Sequence, residues 1–420
     1  MTERSEGPWR VAVSGVGAVS CLGWGRDALW SGLAAGRAAI GNFARFDHAH
    51  HRTHVAAEVP EPDSALAKEL LGHRLSLADK FALAAAGEAL VQAGLPSDLS
   101  GLSAGLYFGS STGGMWEGEA FFADLLSGEP RLRASLLASQ QPNGPGDAVA
   151  RRFGIEGPVE TVSSACASGA LALGAALEAI RSGEVEIAVA GGADSLCRIT
   201  YAGFNSLRSV DERPCRPFRA GREGLSIGEG GAVLILESEE RALARGVKPL
   251  AYLAGAGASC DAHHMTAPEP QGSGAAAAIA AALLDADLGP ESIVLVNAHG
   301  TGTPLNDAAE WRAFERALGE RAQVIPVTST KGLVGHLLGS SGAIEAVATV
   351  LCLAHGEVHP SSAGGEVDPE LGLDLVLDVP RRLADFDPAA EGRTPTAAAL
   401  STSLAFGGAN AALVFERAAR

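Results

Sequence analysis

Short apolar runs of the kind that form buried strands alternate along this chain with longer segments that have the period of a helix. The strand-like runs are Val11–Val13, Gly105–Phe108, Ile187–Ala190, Val233–Leu236, Ile293–Asn297, Val324–Val327 and Ala411–Phe415. The helix-like segments are Asp79–Ala93, Ala167–Ser182, Ala275–Ala286, Ala308–Leu318 and Gly342–His355. Because continuous apolar strands are typical of sheets covered on both faces, this alternation predicts an α/β fold built in layers.

An internal repeat divides the chain into two similar parts. Three pairs of segments match in the same order along the chain: Leu225–Glu237 with Leu404–Glu416, Ser168–Val185 with Ser341–Val358, and Arg10–Ala18 with Leu250–Ala258. Chance similarity between Gly/Ala-rich segments explains any one match but explains the ordered set poorly. The period is too long for a solenoid. We therefore predict two similar halves of one fold, residues 1–248 and 249–420, packed face to face.

The composition is that of a globular protein with a large core. Of the 420 residues, 47% are hydrophobic and 19% are charged, which argues against disorder. The net charge of −17 argues against binding to nucleic acid or to an anionic membrane, because both attract basic proteins. An acidic protein partner would need a local basic patch on this chain.

The cysteines and the N-terminal segment bear on the compartment. Six cysteines are scattered without a C-x-x-C pair or zinc-finger spacing, so we expect reduced thiols and no metal site. Met1–Trp9 lacks the apolar core of a signal peptide, and no uninterrupted run of 18 apolar residues is present. The sequence predicts a cytoplasmic protein without a membrane span.

Cys166 is the strongest candidate nucleophile. It lies in Val162–Gly169 (VSSACASG), between a predicted strand at Val159–Val162 and the helix-like segment that follows. A cysteine at the start of a helix meets unpaired N–H groups, which favour the thiolate and can also bind an oxyanion. The other five cysteines lack this setting, so we expect them to be inert core residues.

Two further loops carry candidate site residues. His299 follows a buried strand in NAHGTGTPLND (residues 297–307), and ligands of α/β sheets bind at such strand ends. Lys331 and His336 share the loop STKGLVGHLLG (residues 329–339), where a lysine charge would favour a neutral imidazole. Glu345 is either the buried counter-ion of Lys331 or an ordinary helix charge.

The segment Gly15-Val-Gly17 after the first strand raises the alternative of a dinucleotide site. The position of the third glycine is Ser20, and no acidic residue ends a second strand about 20 residues further on. A nucleotide-dependent oxidoreductase is therefore disfavoured.

Four segments of the chain resemble the signature segments of the elongating β-ketoacyl-acyl-carrier-protein synthases, in particular the type II group. They are VSSACASGA, NAHGTGTPLND, TSTKGLVGHLLGSSGAIE and TSLAFGGAN, and the resemblance runs from about Val11 to Phe415. It implies the thiolase fold, with two similar halves in five layers (α-β-α-β-α). It also implies a dimer, either a homodimer or a heterodimer with a related ketosynthase subunit.

The resemblance implies a reaction and a catalytic set. The family performs a decarboxylative Claisen condensation of an enzyme-bound acyl group with malonyl-acyl-carrier protein, which extends a fatty-acid or polyketide chain by two carbons. By position, Cys166 would carry the acyl group, and His299 and His336 would polarise the extender thioester. Lys331 would organise the site, with Glu345 behind it. The substrate would arrive on the phosphopantetheine arm of the carrier, and no metal or other cofactor is implied.

The same resemblance implies the residues that surround the reaction. Phe406 would be the gate residue, and its N–H would form the oxyanion hole together with that of Cys166. The implied substrate-binding residues are Thr301, Thr303, Thr112 and Phe204.

This chain departs from the family pattern at several places. Ala405 stands where relatives often have the first glycine of the gate, and Thr112 stands where type II relatives have a bulky aliphatic residue. Gln140 and Gln141 make the segment near the expected acyl pocket polar. The basic residues expected for carrier docking are reduced to His73, Arg74 and Lys80. These departures predict a secondary-metabolite ketosynthase that prefers unsaturated or polar acyl chains.

Two alternatives remain within the same superfamily. A chain-length-factor subunit is non-catalytic and usually lacks the nucleophile, whereas Cys166, His299, Lys331 and His336 are all present here. A thiolase or an initiating condensing enzyme uses a Cys-His-Cys or Cys-His-Asn set instead.

Overall fold

The computed structural model describes residues 10–70, 75–362, 364–383 and 397–418. Within this part of the chain the strands are β1 Val11–Ser20, β2 Gly23–Trp24, β3 Gly41–Asn42, β4 Val55–Ala56, β5 Ala104–Gly109, β6 Val159–Val162, β7 Ile187–Asp194, β8 Gly230–Ser238, β9 Ala251–Cys260, β10 Ile293–Asn297, β11 Pro326–Thr328, β12 Glu357–Val358, β13 Asp374–Leu375, β14 Arg381–Arg382, β15 Ala398–Leu404 and β16 Ala409–Arg417.

The α-helices of the same residues are α1 Arg26–Ala34, α2 Ser64–Glu69, α3 Leu77–Gln92, α4 Met115–Leu126, α5 Gly144–Arg152, α6 Ser168–Arg181, α7 Arg198–Ser206, α8 Glu239–Ala244, α9 Ser273–Asp285, α10 Pro304–Leu318, α11 Lys331–Val334 and α12 Ser341–His355. Short 3₁₀ turns occur at Ala134–Leu137, Pro290–Ser292, Gly319–Gln323 and Leu338–Ser340.

Two arms of strands with the same arrangement meet at the centre of the molecule. The strand order is β13-β11-β10-β15-β16-β9-β1-β8-β7-β5-β6, and β2 pairs with β1. The central strands β1 and β9 are antiparallel. Outward from β1, the pairs β1–β8 and β8–β7 are antiparallel, and the pairs β7–β5 and β5–β6 are parallel. Outward from β9, the strands β16, β15, β10 and β11 repeat that pattern.

Helices cover both faces of each arm and build five layers. The helices α3 and α5 pack together, and α3 covers β1 and β8 on one outer face. The helices α9 and α10 pack together, and α9 covers β9 and β16 on the other outer face. Between the arms, α6 packs on β5 and β7 while α12 packs on β15 and β8. This order confirms the predicted α/β fold in an α-β-α-β-α arrangement. The division into units 1–248 and 249–420 stays a prediction.

The repeated Ser-Gly-Ala segments lie where the two central helices approach each other. A Cβ atom on Gly169 would come within 2.8 Å of the Ala343 nitrogen, and one on Gly342 within 2.6 Å of the Ala170 nitrogen. Only glycine fits such a close approach of two backbones. The repeat in the sequence is therefore a packing requirement at the start of α6 and of α12.

The segment Leu338–His355 is long and apolar enough to cross a membrane by length and composition. Of the residues in this segment, 89% are buried inside the protein, where α12 packs between the two arms of strands. This is the position of a core helix.

Candidate active site

Cys166 lies in a strained turn between β6 and α6. The preceding residue, Ala165, has a φ of 45°, in the left-handed region that residues other than glycine rarely adopt. The turn is held by hydrogen bonds, since the hydroxyls of Ser168 and Ser111 donate to the Ala165 carbonyl at 2.6 and 3.0 Å. Strain that is fixed in this way is common at functional sites. It presents the Cys166 side chain, which is only 7% exposed, to a cavity.

Two histidines from separate loops face this cysteine. His299 follows β10, and its backbone N–H donates to Glu310 Oε1 at 2.8 Å. His336 follows α11, and its backbone N–H donates to the Ser226 carbonyl at 2.7 Å. One ligand atom from each of Cys166, His299 and His336 lies within 4.8 Å of the others. Within the described ranges, no other group of three His, Cys, Asp or Glu residues is gathered so closely.

Hydrogen bonds fix which ring nitrogen of each histidine carries the proton. The backbone N–H of Leu338 donates to His336 Nδ1 at 3.0 Å, so the proton of a neutral ring is on Nε2. Lys331 Nζ lies 3.0 Å from His299 Nδ1 and also pairs with Glu345, which leaves the His299 proton on Nε2 as well. The two imidazoles, whose ring planes are 88° apart, therefore offer one N–H donor each.

Burial sets the charge states at the site. Burial and the charge of Lys331 hold the pKa of His299 and of His336 well below the usual value of 6.5, so both rings are neutral at pH 7. Burial raises the pKa of the Cys166 thiol to about 11, although the Lys331 charge and the Phe406 N–H oppose this rise. Burial therefore opposes the thiolate that the turn is expected to favour, because the loss of solvation acts against the local donors.

A cavity of about 280 Å³ brings most of the residues expected at the site together. Its walls include Cys166, His299, His336, Phe204, Phe406, Thr301 and Thr303. The rings of Phe204 and Phe406 stack with centroids 5.5 Å apart and close one side of the cavity. The hydroxyls of Thr301 and Thr303 lie 2.9 Å apart at another side.

Some residues expected at the pocket lie elsewhere. Thr112 is outside the cavity wall, and its hydroxyl donates to the buried carboxylate of Asp194 at 3.0 Å. Gln140 lies against Gly118 of α4, and Gln141 is exposed. None of the three lines this cavity, and the preference for polar acyl chains stays a prediction. His73 and Arg74 lie outside the described residues, whereas Lys80 is a partly exposed residue of α3.

The sequence did not reveal the buried carboxylate that shapes the His299 loop. Glu310 accepts the backbone N–H groups of His299 and Gly300, each at 2.8 Å, and the hydroxyl of Thr402 at 2.7 Å. Burial raises the pKa of Glu310 to about 7. The available signal was its position between Ala309 and Trp311 on the apolar face of α10, where an acidic residue needs partners.

Comparison with known proteins identifies the class and then the family. One similar solved structure is the ishigamide ketosynthase/chain length factor. It superposes with a TM-score of 0.90 and 32% sequence identity, and the match covers 98% of this chain and 100% of that chain. A second similar structure is a type II polyketide synthase acyl-carrier protein in complex with its ketosynthase. The match has a TM-score of 0.84 and 29% identity, and it covers 98% of this chain and 100% of that chain. The fold is thus the thiolase fold of the ketosynthases.

Family models and curated relatives agree with this class. The models of the β-ketoacyl synthase N-terminal and C-terminal domains match residues 9–242 and 250–364. The 3-oxoacyl-[acyl-carrier-protein] synthase 2 of Synechocystis is 37% identical over 418 residues, which cover 97% of this chain and 98% of that protein. The chain belongs to the β-ketoacyl synthase family.

Proposed function

We propose that this protein condenses an acyl group held on Cys166 with malonyl-acyl-carrier protein and thereby extends a fatty-acid or polyketide chain by two carbons. The observation that supports this proposal most is the convergence of one thiol and two neutral imidazole N–H donors on one cavity. Acyl transfer uses the thiol and decarboxylation uses the two donors, and neither step requires a metal or redox group.

In the first step the acyl group moves from the carrier to Cys166. The Cys166 sulfur forms the new thioester bond, and the carbon–sulfur bond to the carrier's pantetheine arm breaks. Because the pKa of the resting thiol is about 11, its proton is transferred to the departing sulfur as the exchange proceeds. The backbone N–H of Phe406 interacts with the Cys166 sulfur. Together with the backbone N–H of Cys166, it donates a hydrogen bond to the tetrahedral oxyanion.

In the second step the malonyl group loses CO₂, and the electron pair of the broken carbon–carbon bond becomes an enolate. The Nε2–H groups of His299 and His336 donate to the enolate oxygen, which is the position where the negative charge develops. The enolate carbon then attacks the acyl carbonyl, and the Cys166 sulfur leaves with the electron pair of its carbon–sulfur bond. Each neutral imidazole carries its proton on Nε2, so it donates to the enolate oxygen without a change in its own protonation state.

Lys331 acts through His299 and is a positioning residue in this scheme. Its ammonium group holds the Nδ1 of His299 at 3.0 Å and keeps the pKa of both imidazoles low. Glu345 balances this buried charge. The family resemblance counted Lys331 among the catalytic residues, and the geometry supports an indirect role for it.

The carrier's phosphopantetheine arm would enter along the wall formed by Thr301 and Thr303 of the cavity that Phe204 and Phe406 also line. The carrier partner is proposed from the relative that was solved with its acyl-carrier protein. In this scheme the protein acts in the cytoplasm, and the half 1–248 supplies the nucleophile while the half 249–420 supplies His299, Lys331 and His336.

A dimer completes the proposal. Strand β6 is the last strand of its arm, and Val159 on it is 41% exposed, so its backbone groups are open to another strand. On α4, Leu126 is 87% exposed, beside Phe122 and Leu125. These apolar groups suit a second ketosynthase subunit, either an identical chain or a related one. A non-catalytic chain-length factor would not need the donor set that this chain holds around Cys166.

Reconstitution tests the proposal. Purified protein, an acyl-carrier and malonyl-carrier should give CO₂ and a 3-oxoacyl-carrier two carbons longer, as measured by mass spectrometry of the carrier. The Cys166→Ala variant should give no product, and Cys352→Ala, which alters a buried cysteine of α12 that does not line the cavity, serves as the matched control. Equal product from parent and Cys166→Ala would overturn the proposal.

A further inference from the structure

The segment His48-Ala-His50-His51-Arg-Thr-His54 places four histidines in seven residues, and the proposed condensation uses none of them. The segment lies on the surface between β3 and β4 and packs against α7. Two of its histidines face each other, because His48 Nδ1 and His54 Nδ1 lie 3.0 Å apart. Two such nitrogens cannot remain together without something between them, either a proton or a metal ion.

The surroundings of His48 prepare it as a ligand. Its Nε2 lies 3.0 Å from the Phe43 carbonyl, which can only accept, so the Nε2 carries the proton and the Nδ1 presents its lone pair to His54. A backbone carbonyl on the second ring nitrogen is the usual outer partner of metal-bound histidine. The His48 ring is also stacked on Phe43, with centroids 4.2 Å apart and planes 22° apart, which fixes its orientation.

The other end of the segment is anchored as well. The Thr53 N–H donates to Asn205 Oδ1 at 3.2 Å, and the Tyr201 hydroxyl donates to the Thr53 carbonyl at 2.8 Å. Both partners belong to α7. The His54 side chain is exposed, so the pair is open to solvent ions. The nearby Arg52 is directed away, since its guanidinium bonds the Val210 carbonyl and Glu212.

We propose that His48 and His54 form a surface site for a divalent transition-metal ion of the Zn²⁺, Ni²⁺ or Cu²⁺ class, with water in the remaining positions. Metal–nitrogen bonds of about 2.0–2.1 Å at angles between about 90° and 110° place two ligand nitrogens about 2.9–3.4 Å apart. The observed 3.0 Å lies within this range. On binding, the His54 proton moves through solvent from Nδ1 to Nε2, which frees the Nδ1 lone pair for the metal ion.

Occupancy of this site would tie together the two ends of the segment that packs on α7. It would therefore stabilise the folded protein, and the stabilisation would increase with the logarithm of the metal concentration once that exceeds the dissociation constant. The inference does not depend on the proposed condensation, because neither histidine lines the cavity.

Calorimetric titration of tag-free protein with ZnCl₂ tests the site. Every variant also carries Cys166→Ala, because Cys166, His299 and His336 form a second group that can bind a metal. We expect His54→Ala, which alters an exposed side chain, to lose one binding event. His48→Phe, which keeps an aromatic ring against Phe43, should lose the same event.

The matched control is His264→Ala. His264 is exposed too, but its Nδ1 already accepts the N–H groups of Thr266 and Ala267, so its removal should leave the isotherm unchanged. Zinc should also raise the melting temperature of the Cys166→Ala parent more than that of His54→Ala. Identical isotherms for the parent, His54→Ala and His48→Phe would overturn the proposal, as would a loss of the same event in His264→Ala.

Discussion

The buried pair of Lys331 and Glu345 allows stability and catalysis to be separated by experiment. Both side chains are at most 1% exposed, and among the described residues Glu345 Oε2 has no hydrogen-bond partner. Lys331→Met removes the cation and leaves Glu345, whose pKa burial already raises to about 7, buried without its partner. Removal of one partner of a buried ion pair costs about 3–5 kcal/mol, so we expect a loss of that order in the free energy of unfolding.

A second substitution tests the cause of this loss. In Lys331→Met/Glu345→Gln no unpaired charge remains, so the double variant should recover most of the lost stability. Its activity should stay low, because the His299 Nδ1 still lacks its donor and the ring can adopt either tautomer. The pH profile should change as well, since the imidazoles lose the charge that lowers their pKa.

Urea unfolding at pH 7.5, followed by circular dichroism, measures the stability of the parent, the single variants and the double variant. Malonyl-carrier decarboxylation from pH 5.5 to 8 measures the catalytic effect. A double variant that is less stable than Lys331→Met alone would refute the charge argument. A double variant with the activity and pH profile of the parent would refute the positioning role of Lys331.

Three further predictions follow from the site. Cys166→Gln should abolish condensation but retain malonyl decarboxylation, because both imidazole donors remain; condensation at the parent rate would contradict this. His299→Ala and His336→Ala should each slow decarboxylation by about 10²–10³-fold while acyl transfer to Cys166 falls much less, as separate assays of the two steps can show. Burial raises the pKa of Glu310 to about 7 from an unfolded value near 4.5, so the stability contributed by its protonated form is present below pH 4.5 and is lost as the pH rises through 7. Relative to Glu310→Gln, the parent should therefore lose about 3 kcal/mol of unfolding free energy over that range, and a parallel pH dependence of the two proteins would count against it.

The layered fold was predictable because its signals are local in the sequence. Each of the seven apolar runs lies in or overlaps a strand, and each of the five helical segments contains most of a helix. Strand β9 was not predicted as a strand, since its sequence AYLAGAGASC has no β-branched residue and only one aromatic residue, Tyr252. The long-range pairing of β1 with β9 joins residues about 240 positions apart and leaves no local signal.

The site could be predicted only in part. Glycine-rich loops after strands pointed to Cys166, His299 and His336, and the fold brings these three side chains together. The charge state of Cys166 was not predictable, because it depends on the extent of burial rather than on the turn. The bond of the Thr112 hydroxyl to Asp194 was not predictable either, because Asp194 lies 82 positions away along the chain, and the substrate-binding role of Thr112 stays a prediction.

The most direct test of the account is to locate the acyl group on the protein. After incubation with an acyl-carrier and without malonyl-carrier, digestion and mass spectrometry should find one acyl group on the peptide that contains Cys166. The other thiols provide internal controls, among them the buried Cys197 and the exposed Cys260. Label on Cys166 that is discharged as a 3-oxoacyl product when malonyl-carrier is added is the predicted result. Label on Cys260 or Cys197 with Cys166 unmodified would contradict the central claim.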